Sequence, residues 1–225
     1  MDALVNFDSL FLATLRSGDY VGFTFFIGSM AMAAATVFFF FQYGRVQGKW
    51  KDSMLVSGLI TFIAAVHYFY MRDFWATNQA SPTEFRYIDW ILTVPLMCVE
   101  FYLILKAFGA KMGLLWKMIF YSLVMLVAGY LGETVFRDQS PLWGFISTIG
   151  YVGILYEVWF GSAKKLSQSS NDPVLQKAFS TLAWFILVGW AIYPIGYMTI
   201  DTGWLAGVIP GESMDIIYNI GDAVN

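Results

Sequence analysis

RYIDWILTVPLMCVEFYLIL, Arg86 to Leu105, is a run of twenty residues in which only Arg86, Asp89 and Glu100 are charged. A helix needs about 20 mostly apolar residues to cross the hydrocarbon core of a bilayer, so this stretch reads as one transmembrane span. The rest of the chain agrees with it. Of 225 residues 58% are hydrophobic, 19% aromatic and only 13% charged, and the mean hydropathy is +0.61. Soluble domains carry about 25% charged residues, so this composition belongs to an all-α membrane protein, whose length with short loops allows at most about seven spans.

Working outward, apolar runs predict spans over about 20–41, 53–71, 85–105, 112–131, 142–160 and 179–200. The polar segment Gly161 to Pro173 is expected to be a long loop. A seventh helix is expected from Ser213. The stretch from Gly211 to Asn225 reaches only about 22 Å at 1.5 Å per residue, so that helix reads as incomplete. The expected architecture is one domain, residues 1–225, a seven-helix bundle with a short N-terminal segment (1–19). That segment carries Asp2, Asp8 and Asp19 and does not have the pattern of a signal peptide.

Charge sets the expected orientation. Arg45, Lys49, Lys51, Lys106, Lys111, Lys117, Lys164, Lys165 and Lys177 are nine of the 13 basic residues and flank alternate loops, which places those loops in the cytoplasm. Asp201, Glu212 and Asp215 fall in the opposite set, so the N-terminus is expected outside. The net charge of −3 leaves no basic surface for nucleic acid. One cysteine, Cys98, and one histidine, His67, exclude a disulfide framework and a Cys/His metal cluster.

Ionisable groups inside spans usually mark a route for ions or protons. Asp89 and Glu100, eleven residues apart, lie about 20° apart on one helical face and about 16 Å apart along the axis, so they line one path at two depths. Thr93 and Arg86 lie near Asp89 on that face, and Asp222 enters from the seventh helix at a similar depth. Asp89, Asp222 and Arg86 are expected to form a cluster around a buried cation. Static pairing of Arg86 with Asp89 is the bland alternative. Glu100 has no basic residue within a turn, and a carboxyl buried that way is favoured in its protonated form, as a proton donor would be. His67 is either a satisfied structural group or a buffer for a neighbouring carboxyl. Trp190, Tyr193 and Pro194 share a face of the sixth helix, which is either ordinary core or the wall of a flat conjugated ligand.

The Arg86–Leu105 run resembles the third helix of the proteorhodopsins, within the microbial rhodopsin family of light-driven pumps. VSGLITFIAAVHYFYMRDFW (Val56–Trp75), GWAIYPIGY (Gly189–Tyr197) and IYNIGDAVN (Ile217–Asn225) resemble their second, sixth and seventh helices. NFDSLF at the start and VPLMCVEFYLILK in the third helix look most like marine flavobacterial members. The resemblance implies an outward proton pump in a bacterial plasma membrane, with all-trans retinal joined as an imine to a lysine directly after Asn225. It implies Asp89 as proton acceptor, Glu100 as cytoplasmic donor, His67 as the acceptor's partner, and Thr93, Arg86 and Asp222 around the acceptor. Trp90, Met97, Trp190, Tyr193, Pro194 and Tyr218 would then form the retinal pocket, with Met97 as in green-absorbing members. Sodium-pumping relatives carry Asn, Asp and Gln where Asp89, Thr93 and Glu100 stand, and chloride pumps lack the acidic acceptor. Sensory members lack the donor carboxyl, which leaves a sensory photoreceptor acting through a partner as the alternative. Relatives form pentamers or hexamers in the bilayer. Gly144 aligns with a glycine that in some relatives admits an antenna carotenoid; close helix packing is its other reading.

Overall fold

Asp19 starts the first helix by accepting a hydrogen bond from the Gly22 amide (2.8 Å), one of the donors a helix N-terminus leaves open. Its Oδ1 also accepts from Trp75 Nε1 (3.0 Å), tying the start of that helix to the end of the next. The computed structural model describes residues 17–200, 203–210 and 213–225. Most of the expected N-terminal segment, and Asp201 and Glu212, lie outside them.

The helices are α1 (Tyr20–Tyr43), α2 (Lys49–Asn78), α3 (Thr83–Lys106), α4 (Met112–Tyr130), α5 (Ser140–Trp159), α6 (Ser162–Ser169), α7 (Pro173–Trp184), α8 (Ile192–Tyr197) and α9 (Ser213–Val224). A π-helical turn, Leu131–Val135, continues α4, and a second, Phe185–Gly189, joins α7 towards α8. Six of the resulting segments are long and apolar enough to cross a membrane. With α9 they make a seven-helix bundle in which each of α1 to α5 packs on its neighbour and α9 closes the ring against α1 and α8. Phe23, Ile27, Phe38 and Phe41 of α1 and Leu142, Phe145 and Ile149 of α5 are exposed. Large apolar side chains on the outside suit hydrocarbon, where backbone polar groups must be satisfied within the helices.

Two boundaries differ from expectation. The 161–173 connector is not simply a loop: Ser162–Ser169 is helical, with Ala163 and Ser167 buried, and the Ser162 amide donates to Glu157 Oε2 (3.1 Å). The sixth span starts earlier than expected, at Pro173, because the Asp172 side chain caps the Val174 and Leu175 amides and proline suits the first helical position. Further along, Pro194 has no N–H to give the preceding turn. Tyr151 donates to the carbonyls of Ile186 (2.9 Å) and Leu187 (2.8 Å), which supplies a partner across the bundle where the α-helical ladder is interrupted.

Candidate functional site

Helices α3 and α9 and the Phe185–Tyr197 segment carry much of the lining of a cavity of about 400 Å³, which α1, α2, α4 and α5 also reach. α3 contributes Asp89, Trp90, Thr93 and Met97. The Phe185–Tyr197 segment contributes Trp190, Tyr193 and Pro194, and α9 contributes Tyr218, Asp222 and Asn225. Trp90 meets Tyr193 and Tyr218 edge to face, each at 5.2 Å. All six aromatic, methionine and proline residues expected to form one pocket line this cavity. A mostly apolar space lined by aromatic rings and by the Asp89 and Asp222 carboxyl groups fits a flat conjugated ligand that carries a cationic N–H.

The two carboxyl groups are in different states of satisfaction. Asp222 Oδ1 accepts from Trp90 Nε1 (3.0 Å) and Tyr193 (2.8 Å), and Oδ2 accepts from Tyr68 (2.5 Å). Asp89 is 2% exposed, and its Oδ1 has no hydrogen-bond partner among the described residues. A buried acceptor without a donor is costly, so Asp89 presents an open position to the cavity. His67 Nδ1 lies 3.5 Å from that oxygen but is 2.9 Å from the Ile63 carbonyl. A carbonyl only accepts, so that bond requires the proton on Nδ1. The Thr93 hydroxyl donates to the Asp89 backbone carbonyl (2.9 Å) rather than to its carboxyl group.

Arg86 is fully buried. It donates to Asp215 (2.9 Å), Asn219 (2.9 Å), Tyr68 (3.3 Å) and Asp222 (3.5 Å). Its short ion pair is with Asp215, and Asp222 is the more distant partner. Asp215 is 2% exposed, a site residue rather than a loop charge. The steps Asp215, Asn219, Asp222 are four and three residues, which puts all three on one face of α9.

Glu100 faces a second cavity, of about 220 Å³. Its Oε1 accepts from Ser57 (2.5 Å) and Ser53 (3.2 Å). Ser53, Ser57 and Thr61 repeat every four residues along α2, a polar stripe in an apolar helix that the spacing already contained. Ile60, Thr61, Met97, Trp190 and Asn225 line both cavities, so the two spaces adjoin. Gly144 also lines the larger cavity, where Phe145 and Thr148 reach the bundle surface. A Cβ on Gly144 would stand 2.8 Å from the Tyr197 ring, so that ring's close approach requires a glycine.

The sequence profile of the bacteriorhodopsin-like proteins matches residues 19–225. The chain is 46% identical, over 94% of its length and 84% of the relative's, to a green-light absorbing proteorhodopsin of Gamma-proteobacterium EBAC31A08. Among solved structures it resembles the blue light-absorbing proteorhodopsin from Med12, with a TM-score of 0.78 and 41% identity over 92% of each chain. It also resembles xanthorhodopsin, described as a light-driven ion pump with dual chromophore, with a TM-score of 0.76 and 30% identity over 91% of this chain and 86% of that one.

Proposed function

Because the chain belongs to the bacteriorhodopsin-like protein family, we propose that it is a light-driven proton pump moving protons outward, with Asp89 as acceptor and Glu100 as donor. The observation that carries this reading is the pairing of an open, buried Asp89 oxygen on the larger cavity with a half-buried, hydrogen-bonded Glu100 on the adjoining one. Retinal, when bound as an imine, would supply a light-driven change of shape and a nitrogen that carries a proton. Trp90, Met97, Trp190, Tyr193, Pro194 and Tyr218 would hold its chain.

The residues divide the work. Asp222, which accepts from Tyr68, Trp90, Tyr193 and Arg86, keeps a fixed negative charge beside the cavity. Asp89, with an unfilled acceptor, takes up a proton at Oδ1. Glu100 holds a proton against Ser57 and gives it towards the larger cavity. Arg86 separates Asp89 from the Asp215 end of the bundle. Direction follows from this order together with the basic loops at the Glu100 end, which place that end in the cytoplasm. Illuminated cells in weak buffer are expected to acidify their medium, and a protonophore is expected to abolish the change. A protein that absorbs light but moves no proton would instead be the sensory alternative, which the half-buried, hydrogen-bonded Glu100 disfavours.

Glu100→Gln keeps the side chain's size and an acceptor for Ser57 but has no proton to give. Positioned acid or base groups contribute about 10²–10⁴-fold, so recovery after a flash is expected to slow by about 100-fold while the initial light reaction is unaltered. Ser57→Ala is expected to slow recovery less, because Ser53 remains. Flash absorption spectroscopy checks both, and native recovery in Glu100→Gln would remove the donor assignment.

A second chromophore is a finer proposal. The cavity reaches the lipid-facing surface beside Gly144, where a carotenoid would lie close to retinal. Light absorbed by an added hydroxylated carotenoid is then expected to drive retinal emission, and Gly144→Trp is expected to block it. No transfer in the native protein leaves Gly144 with its packing role against Tyr197.

A further inference from the structure

Trp190 stands on a weakly supported stretch of backbone. In an α-helix its amide would donate to the Ile186 carbonyl, four residues back. In the π-turn Phe185–Gly189 it donates instead to Phe185 (3.2 Å), so Ile186 loses its usual donor. Four residues further on, Pro194 has no N–H for the Trp190 carbonyl. Trp190 is therefore flanked by two breaks in the ladder. Its buried side chain nevertheless lines both cavities, where the space that Glu100 faces adjoins the larger one.

A replacement donor comes from another helix. The buried Tyr151 of α5 shares its single hydroxyl proton between Ile186 (2.9 Å) and Leu187 (2.8 Å), two carbonyls of the turn. Next to Tyr151, α5 is pressed onto α4: a Cβ on Gly150 would stand 2.6 Å from the Tyr121 carbonyl oxygen and 2.7 Å from the Met125 nitrogen. One turn earlier the Ser147 hydroxyl donates to the Met125 carbonyl (2.7 Å). Tyr151 thus reaches the turn from a fixed support. Helix pairing alone does not call for this arrangement, because an unbroken α-helical ladder would satisfy Ile186 without help. π-turns inside helices are often found at functional positions. Recapture of the Trp190 amide by Ile186 would change the register by one residue, about 100° of rotation, and carry the ring away from the junction.

We propose that Tyr151 is a positioning residue for the return of a proton from the Glu100 side. Its hydroxyl holds the π register and so keeps Trp190 across the junction, closing the larger cavity to cytoplasmic water. Tyr151 keeps its own proton throughout and acts only through Trp190. This rests on the outward-pump reading, which supplies the direction of the return.

The test uses the full-length protein with retinal in lipid vesicles and takes Glu100→Gln as its background. There the returning proton comes from cytoplasmic water, and the Trp190 junction stands in its way. Adding Tyr151→Phe keeps the ring and removes the donor. It is expected to speed recovery after a flash by about fivefold, the effect of one typical hydrogen bond. Tyr151→para-aminophenylalanine restores a donor and is expected to bring recovery back to the Glu100→Gln rate. In the dark, backbone amides of residues 185–193 are expected to exchange with deuterium about fivefold faster in Tyr151→Phe, with those of α3 unchanged. Recovery in the double variant at the Glu100→Gln rate, or unchanged exchange, would overturn the proposal and leave Tyr151 as a structural bond, whatever the thermal stability. Where Tyr151→Phe yields no pigment, Tyr151→difluorotyrosine supplies a stronger donor of nearly the same shape. It is expected to slow recovery in the Glu100→Gln background, and an unaltered rate there would equally overturn the proposal. If the native protein moves no proton in light, the pump reading fails, and the dark exchange still decides whether Tyr151 holds the turn.

Discussion

Asp89→Asn is expected to abolish light-driven acidification. The substitution preserves shape and volume, and the Asp89 backbone carbonyl still receives Thr93, so the fold and the cavity are expected to survive. What is lost is the group that can take up a proton at the open Oδ1 position. Removing a positioned base lowers a proton-transfer rate by about 10²–10⁴-fold, which takes the acidification below detection. The measurement is the light-induced pH change of a cell suspension with and without protonophore, normalised to pigment quantified by its visible band. Native pumping in Asp89→Asn would reject the acceptor assignment. Asp222→Asn is the informative contrast. Tyr68, Trp90, Tyr193 and Arg86 all donate to that carboxylate, and an amide turned among them meets at least one donor with its own NH₂. Asp222→Asn is therefore expected to reduce the amount of folded pigment as well as its activity.

The spans were legible because each is a charge-poor run of the right length, and Arg86, Asp89, Glu100 and Asp222 stood out as ionisable groups within such runs. Partners across helices were harder to read. Asp215 sits near a predicted helix start and looked like an ordinary loop acid; only the packing of α9 against α3 brings it to Arg86. The fourth span runs past its expected end because a π-turn carries the helix on to Val135, and no apolar periodicity announces such a turn. Ser53 and Ser57 were visible as a four-residue repeat but carry meaning only beside Glu100. The start of α7 could have been placed from Asp172 and Pro173, a cap followed by a proline suited to the first turn. The helicity of Ser162–Ser169 could not, since serine and lysine favour a loop reading and the contact with Glu157 that anchors the segment is tertiary.

Arg86→Ala is expected to destabilise the protein more than any other single change at the site. The guanidinium is wholly buried and is the direct ion-pair partner of both Asp215 and Asp222. Phe25, Tyr68, Trp90 and Tyr218 surround it with ring centroids 5.3–5.9 Å away. Removing one member of a buried ion pair leaves an uncompensated charge and costs about 3–5 kcal/mol. A domain of about this size loses roughly 2–4 °C of Tm per kcal/mol, so the midpoint is expected to fall by on the order of 10 °C. Arg86→Lys keeps a charge but not the fork that reaches Asp215 and Asn219 through one nitrogen and Tyr68 and Asp222 through the other, and should recover only part of the loss. The decisive measurement is a double-mutant cycle. If the cost arises from a stranded Asp215 carboxylate, Asp215→Asn in the Arg86→Ala background should restore stability relative to Arg86→Ala alone, although each single change is destabilising. Simple additivity would show that Arg86 acts through its aromatic neighbours and Asp222, with the Asp215 pair contributing nothing to the fold.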